Sequence, residues 1–288
     1  MRGAKPERAL DALVREAIDF APGETVVVAC SGGPDSIALA AVLDRVARDV
    51  GFALVIAHVN HGTRESVWQD ECVVLSVGAR LGWPVKIAAP QLVASDEATL
   101  RDARYAALSA IAKDTGATTV ATAHTAEDQS ETILLALFRG TGLAGLAGIA
   151  PDRPLDAHLR LVRPLLRATH ADLEAELRRS ALPYAIDPTN AQTRYRRNAL
   201  RAALVGLREE FPQLDRSIAR CAEIVRDELA GDPRSLARRE LRARLREHGD
   251  VRDIPFERIE AALDTHPAGR VHLRTGLELH RGDLRESD

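Results

Sequence analysis

The sequence predicts an α/β protein, a mostly parallel sheet with helices on both faces, followed by a small, mainly helical C-terminal domain. Three observations carry this expectation. Short β-branched or apolar runs alternate with segments of helical periodicity as far as Gly206. Polar clusters stand where several of those runs end. Beyond Gly206, helical patterns follow one another without a strand until Val271.

Taken in order, Pro6–Ile18 reads as an amphipathic helix. Thr25–Ala29, T-V-V-V-A, reads as a buried parallel strand, because both faces of such a strand are covered. Ile37–Val50 has apolar residues at helical spacing. Strands follow at Ala53–His58, Pro84–Ala88, Thr118–Ala123 and Leu159–Leu165. Helices follow at Ser66–Leu81, Thr99–Thr115, Glu131–Phe138 and His170–Ser180, the last with Thr169 as N-cap. Gly140–Gly148 reads as a glycine-rich loop. Pro212–Ala230, Ser235–His248 and Pro255–Thr265 read as helices, and Val271–Arg281 as a hairpin turning at Thr275-Gly276. The expected domains are 1–206 and 207–288.

The totals narrow the function classes. The 288 residues are 45% hydrophobic and only 3% aromatic, enough for a core but poor in stacking surfaces. No apolar run is long enough to span a bilayer, and M-R-G-A-K-P-E-R-A-L has no apolar signal region. A cytoplasmic protein with no membrane partner is expected. Cys30, Cys72 and Cys221 are scattered, which argues against a disulfide framework, a zinc ribbon or an iron–sulfur site. The net charge of −3 leaves nucleic-acid binding to a local patch. All but Lys5, Lys86 and Lys113 of the 39 basic residues are arginine.

Cys30–Ser36, C-S-G-G-P-D-S, joins a strand end to a helix start. That geometry aims backbone N–H groups and the positive end of a helix dipole at one point and suits phosphate. Gly32 and Gly33 allow close approach; Ser31 and Ser36 offer hydroxyls. Asp35 would repel phosphate unless a divalent cation lies between them, so it reads as a Mg²⁺ ligand. No lysine follows the glycines, so this is not a Walker A loop. The plainer alternative is an ordinary capped strand–turn–helix.

Three further clusters matter. His58, Asn60, His61 and Arg64 end the second strand. They read as a nucleotide rim, with backbone reading adenine and imidazole or Arg64 near phosphate, or else as a polar strand end. Arg101, Arg104 and Tyr105 share a helix face, with Arg104 the better triphosphate contact because a guanidinium grips phosphate bidentately. His124, Glu127, Asp128, Gln129 and Glu131 crowd one helix start. Helix capping explains one or two of these carboxylates; Asp128 and Glu131, three apart, could hold a cationic amine or a metal. Asp187, Asn190, Tyr195 and Asn198 are interleaved with Arg194, Arg196, Arg197, Arg201 and Arg208, which reads as a contact to nucleotide or RNA phosphate. Gly140–Gly145 matches G-x-G-x-x-G but follows a helix, so it reads as a mobile loop closing over a substrate.

S-G-G-P-D-S resembles the PP-loop of ATP pyrophosphatases, which split ATP between its α and β phosphates. With H-V-N-H-G-T-R, R-D-A-R-Y-A-A-L, A-H-T-A-E-D-Q-S-E-T, R-G-T-G-L-A-G-L-A-G, R-P-L-L and D-P-T-N-A-Q-T-R-Y-R-R-N-A-L-R, the chain resembles the tRNA(Ile)-lysidine synthetase family, in its compact form, over Val26–Leu204. That family attaches lysine to C2 of the wobble cytidine of an isoleucine tRNA with a CAU anticodon. The resemblance implies ATP, Mg²⁺, L-lysine and tRNA(Ile) as ligands. It implies ATP contacts at Ser31, Gly32, Gly33, Pro34, Asp35, Ser36, His58, Asn60 and His61. Catalytic groups are then Asp35, Arg104, His124, Asp128 and Glu131, with Asp128 and Glu131 also binding lysine. Arg194, Arg197 and Arg201 contact the tRNA, together with the C-terminal domain, and the oligomeric state stays open, a homodimer included. Two positions depart from the family pattern, which usually has His where Thr125 stands and Asp where Glu127 stands. The rivals are a tRNA thiolase, a PP-loop amidotransferase and a non-catalytic nucleotide- or RNA-binding module.

Overall fold

The computed structural model describes residues 9–60, 67–90, 97–186, 196–247, 254, 256–264, 270–274, 277–280 and 283–286. His61, Arg64, Asp187, Asn190, Arg194, Tyr195, the start of the first helix and the hairpin turn at Thr275-Gly276 lie outside the described residues.

The elements run α1 (Ala9–Ala17), β1 (Thr25–Ala29), α2 (Pro34–Val50), β2 (Ala53–Val59), α3 (Val67–Leu81), β3 (Val85–Ala88), α4 (Glu97–Thr115) and β4 (Thr119–Ala121). They continue α5 (Ala126–Phe138), α6 (Leu143–Leu146), β5 (Asp152–Pro154), β6 (Arg160–Val162), α7 (His170–Ser180), α8 (Arg196–Glu210) and α9 (Leu214–Ala230). Last come α10 (Pro233–Glu247), α11 (Phe256–Asp264), β7 (Arg270–Arg274), β8 (Leu277–His280) and β9 (Asp283–Glu286). No described helix is long and apolar enough to cross a membrane.

The main sheet has the order β3-β2-β1-β4-β6-β5. Every pairing is parallel except β5 with β6. Strand β1 is central, and alternation sends its side chains to opposite faces. Val26 and Val28 join α1, α2, α3 and α7 in one core; Val27 joins α4 in the other. Burial on both faces is why T-V-V-V-A reads as a continuous apolar run and not as an alternating one. The order reverses between β1 and β4, and open parallel sheets bind ligands at the carboxyl ends of strands at such a switch point.

The chain divides into two compact units, Met1–Cys221 and Ala222–Asp288. The expected boundary after Gly206 therefore falls too early by contact: α8 and the start of α9 belong with the first unit. Arg208 on α8 grips Asp215 on α9 at 2.8 Å, and the Ser130 hydroxyl of α5 donates to the Asp215 carbonyl. The second unit packs Leu241, Leu245, Ile254, Ile259 and Leu273 together. Its antiparallel sheet β7-β8-β9 contains one strand more than the expected hairpin.

Candidate active site

The loop after β1 is built by its own side chains. Gly32 adopts φ +91°, and a Cβ there would lie 3.2 Å from Asp70 on α3. Only glycine meets both demands. The Ala185 N–H reaches back to the Gly32 carbonyl at 2.8 Å. Gly33 is the N-cap of α2 in extended conformation, and among the described residues no side-chain cap hydrogen bond is made there. Pro34, within the first turn, has no N–H to satisfy. The helix start thus keeps amide donors for an anion. Ser36 departs from expectation. It is buried; its hydroxyl accepts from the Ser31 N–H at 3.1 Å and donates to the Gly33 carbonyl at 2.9 Å. It braces the loop, so its proton is not offered to a ligand.

A cavity of about 510 Å³ opens over this loop. Ser31, Gly33, Pro34, Asp35, His58, Asn60, Arg104, His124 and Asp128 line it, so the structure brings these expected residues together. Ser36, Asp70, Tyr105 and Arg197 also line it. Glu131 and Arg201 do not line it.

His58 carries a correction. Its Nδ1 lies 2.8 Å from the Cys30 carbonyl, so Nδ1 donates there and, in the neutral ring, Nε2 is the acceptor. Nε2 is buried with no hydrogen-bond partner among the described residues. An acceptor repels phosphate oxygens, so His58 suits a hydroxyl or amine of the nucleoside and not its phosphates. Asn60 donates to Glu71 at 2.6 Å.

Glu131 is also corrected. It is fully buried, and Arg201 clamps both its oxygens at 2.7 and 2.9 Å while Arg197 Nε lies 3.2 Å away. A carboxylate so occupied does not hold a lysine ammonium. Arg201 is correspondingly an internal anchor of α8 and not a free phosphate contact. Arg197 also donates to Thr132 at 2.9 Å and faces the cavity, which moves it from the tRNA surface to the site wall.

Helix α5 begins at Ala126, earlier than the expected Glu131, because Thr125 and Asp128 form a capping box. That places Asp128 in the first turn, half-buried, with Oδ1 3.9 Å from Arg201. Gln129 ties the glycine-rich segment down: its amide exchanges two hydrogen bonds with the Ile149 backbone, at 3.1 and 2.6 Å. The expected loop contains α6 and is clamped to α5.

The imidazoles flanking this helix start differ in charge. His124 sits 3.0 Å from the Thr122 hydroxyl. Burial lowers its pKa to about 4, against Asp128 and with the guanidiniums of Arg163, Arg197 and Arg104. It is neutral at pH 7 and offers a lone pair or an N–H, not a cation. His170, the first residue of α7, was not among the expected site residues. Burial opposes its charge, but Asp35, Glu127 and Asp128 outweigh burial and raise it to about 9. The two departures from the resembled pattern both touch it: Thr125 Oγ1 is 3.4 Å from its Nε2, and Glu127 accepts its backbone N–H at 2.9 Å.

A cationic wall adjoins Arg104. Arg101 and Arg153 sit over the Tyr105 ring at 5.7 and 5.2 Å. Arg163 is buried and donates to the Ala150 carbonyl at 2.6 Å. Its motif, R-P-L-L, was visible in sequence; its neighbours were not.

Parallel strands, a sheet reversal and an uncapped helix start behind a Gly-Gly turn together define an α/β nucleotide-site domain. The chain belongs to the PP-loop domain family, which matches residues 4–207. It is 40% identical to the tRNA(Ile)-lysidine synthase of Ralstonia nicotianae over 204 residues, 69% of this chain and 44% of that protein. The protein of that name from Gloeobacter violaceus is 37% identical, covering 72% of this chain and 64% of its own length. That of Dehalococcoides mccartyi is 33% identical, covering 92% and 58%. The chain thus spans less than two thirds of these relatives. Among solved structures, the U34-tRNA thiolase NcsA of Methanococcus maripaludis shares the fold at TM-score 0.63 and 17% identity, over 74% of this chain and 77% of that one.

Proposed function

We propose that this protein is a lysidine-forming ligase. It joins L-lysine to C2 of the wobble cytidine of tRNA(Ile) carrying CAU, with ATP split to AMP and pyrophosphate. One observation supports this above the others: the PP-loop with Asp35, Arg104 on α4, and the His124/Asp128 pair before and in α5 all face one cavity. The names borne by the relatives support the choice of substrates.

In the first step the cytosine O2 attacks the α-phosphate of ATP, and pyrophosphate leaves. The amides at the start of α2 and the Arg104 guanidinium stabilise the charge that develops. Asp35 fits Mg²⁺, since that ion commonly binds through one or two carboxylates and substrate phosphates. When bound there it would neutralise the leaving pyrophosphate. In the second step the lysine ε-amine attacks C2, the C2–O bond breaks, and AMP leaves carrying the former O2. A lysine amine has a pKa of about 10.4 and arrives protonated. Asp128 orients the ammonium, whose proton passes to solvent as the C–N bond forms, and neutral His124 offers an N–H to the phosphate rather than acting as the base. The wobble base must leave its stack to reach the cavity. The unit from Ala222 onward contacts the tRNA elsewhere. The protein works in the cytoplasm.

The test separates the two steps. In Asp128→Asn, tRNA-dependent pyrophosphate release should persist while the KM for lysine rises at least tenfold. Pyrophosphate release that persists with an unchanged lysine KM would remove Asp128 from this role.

A further inference from the structure

The contact behind Asp35 goes beyond that reading and rests on it. His170 Nε2 lies 3.5 Å from Asp35 Oδ2. The ring is held from elsewhere. Thr169 caps α7 and sets the position of its first residue. Glu127 Oε1 accepts the His170 backbone N–H at 2.9 Å, and Thr125 Oγ1 stands 3.4 Å from Nε2. Glu127 is itself buried, so this grip does not wander with solvent. The α7 start, the β4–α5 junction and the PP-loop therefore meet at one imidazole. His170 does not line the cavity, whereas Asp35 does.

We propose that His170 is a positioning residue for Asp35, engaging Oδ2 from outside the cavity and leaving Oδ1 as the oxygen free of this contact. Carboxylates that bind metals are commonly held in this way by a neighbouring hydrogen-bonding group. Thr125, Glu127 and His170 then act as one unit: Glu127 fixes the His170 backbone, and Thr125 Oγ1 flanks the Nε2 that meets Asp35.

The test reads Mn²⁺ as a paramagnetic stand-in for Mg²⁺, by electron paramagnetic resonance, with α,β-methylene-ATP and the full-length protein. No turnover is needed. His170→Ala and His170→Asn, which cannot reach Asp35 as the imidazole does, should weaken Mn²⁺ binding about tenfold or more. His170→Gln, whose amide nitrogen can take the place of Nε2, should bind within about threefold of the wild type. Circular dichroism confirms that each variant is folded. Unchanged or tighter Mn²⁺ binding in folded His170→Ala and His170→Asn, with wild-type binding abolished by Asp35→Ala, would overturn the positioning role and leave the metal site standing. Wild-type binding insensitive to Asp35→Ala would overturn both.

Discussion

Gly32 is constrained twice over. Its φ of +91° and its 3.2 Å approach to Asp70 act together. Gly32→Ala should cost about 1–3 kcal/mol of stability from backbone strain. Nucleotide binding should fall more steeply than stability, because the amides that follow are displaced; chemical denaturation and nucleotide titration on one sample compare the two. The need for glycine was legible in the Gly-Gly turn. The partner, Asp70 on a different helix, was not. His58 and Glu131 teach the same lesson. Their residue types announced polar chemistry, but the Cys30 carbonyl and the arginines of α8 decide which atoms remain available.

The two shifted histidines predict opposite pH dependences in the metal-free protein. His170 is raised in the folded state to about 9, above its ordinary 6.5. Its contribution to stability is fully present below pH 6.5 and is lost as pH rises through 9. His124 is lowered to about 4. The unfolded chain takes up that proton below pH 6.5 and the folded chain refuses it, so stability falls as pH drops from 6.5 toward 4. Urea midpoints measured across pH 4.5–9.5 should show the acid limb flattened in His124→Asn and the alkaline limb flattened in His170→Gln.

At the scale of elements, a buried ion cluster joins α1, α2 and α7. Arg45 bridges Asp11 at 3.1 and 3.0 Å through Nε and Glu176 at 2.7 Å through Nη1. Glu176 is fully buried. Arg45→Met deprives two buried carboxylates of this guanidinium and should cost about 3–5 kcal/mol. A fall in the denaturation midpoint without a changed m-value is the expected result. Helix periods and buried strands were legible because each is a local pattern. Strand β5 was not: it is three residues long, ends in Pro154 and pairs only at the sheet edge. The early start of α5 is legible in T-A-E-D, where Thr125 and Asp128 form the capping box.

For the whole molecule, the order of strands explains why stretches far apart in sequence share one cavity. The carboxyl ends of β1, β2 and β4 are neighbours in the sheet, so the PP-loop, His58 and His124 converge. Alternation of strands and helices made that convergence predictable. His170 escaped because its link to Asp35 depends on how α7 packs on α2, which no local pattern records. The central claim is tested most directly by incorporation of labelled lysine into a tRNA(Ile) transcript with a CAU anticodon, with and without ATP, alongside Asp35→Ala. The account predicts ATP-dependent incorporation that is lost in the variant. Folded wild-type protein that neither incorporates lysine nor releases pyrophosphate on addition of the tRNA would contradict it.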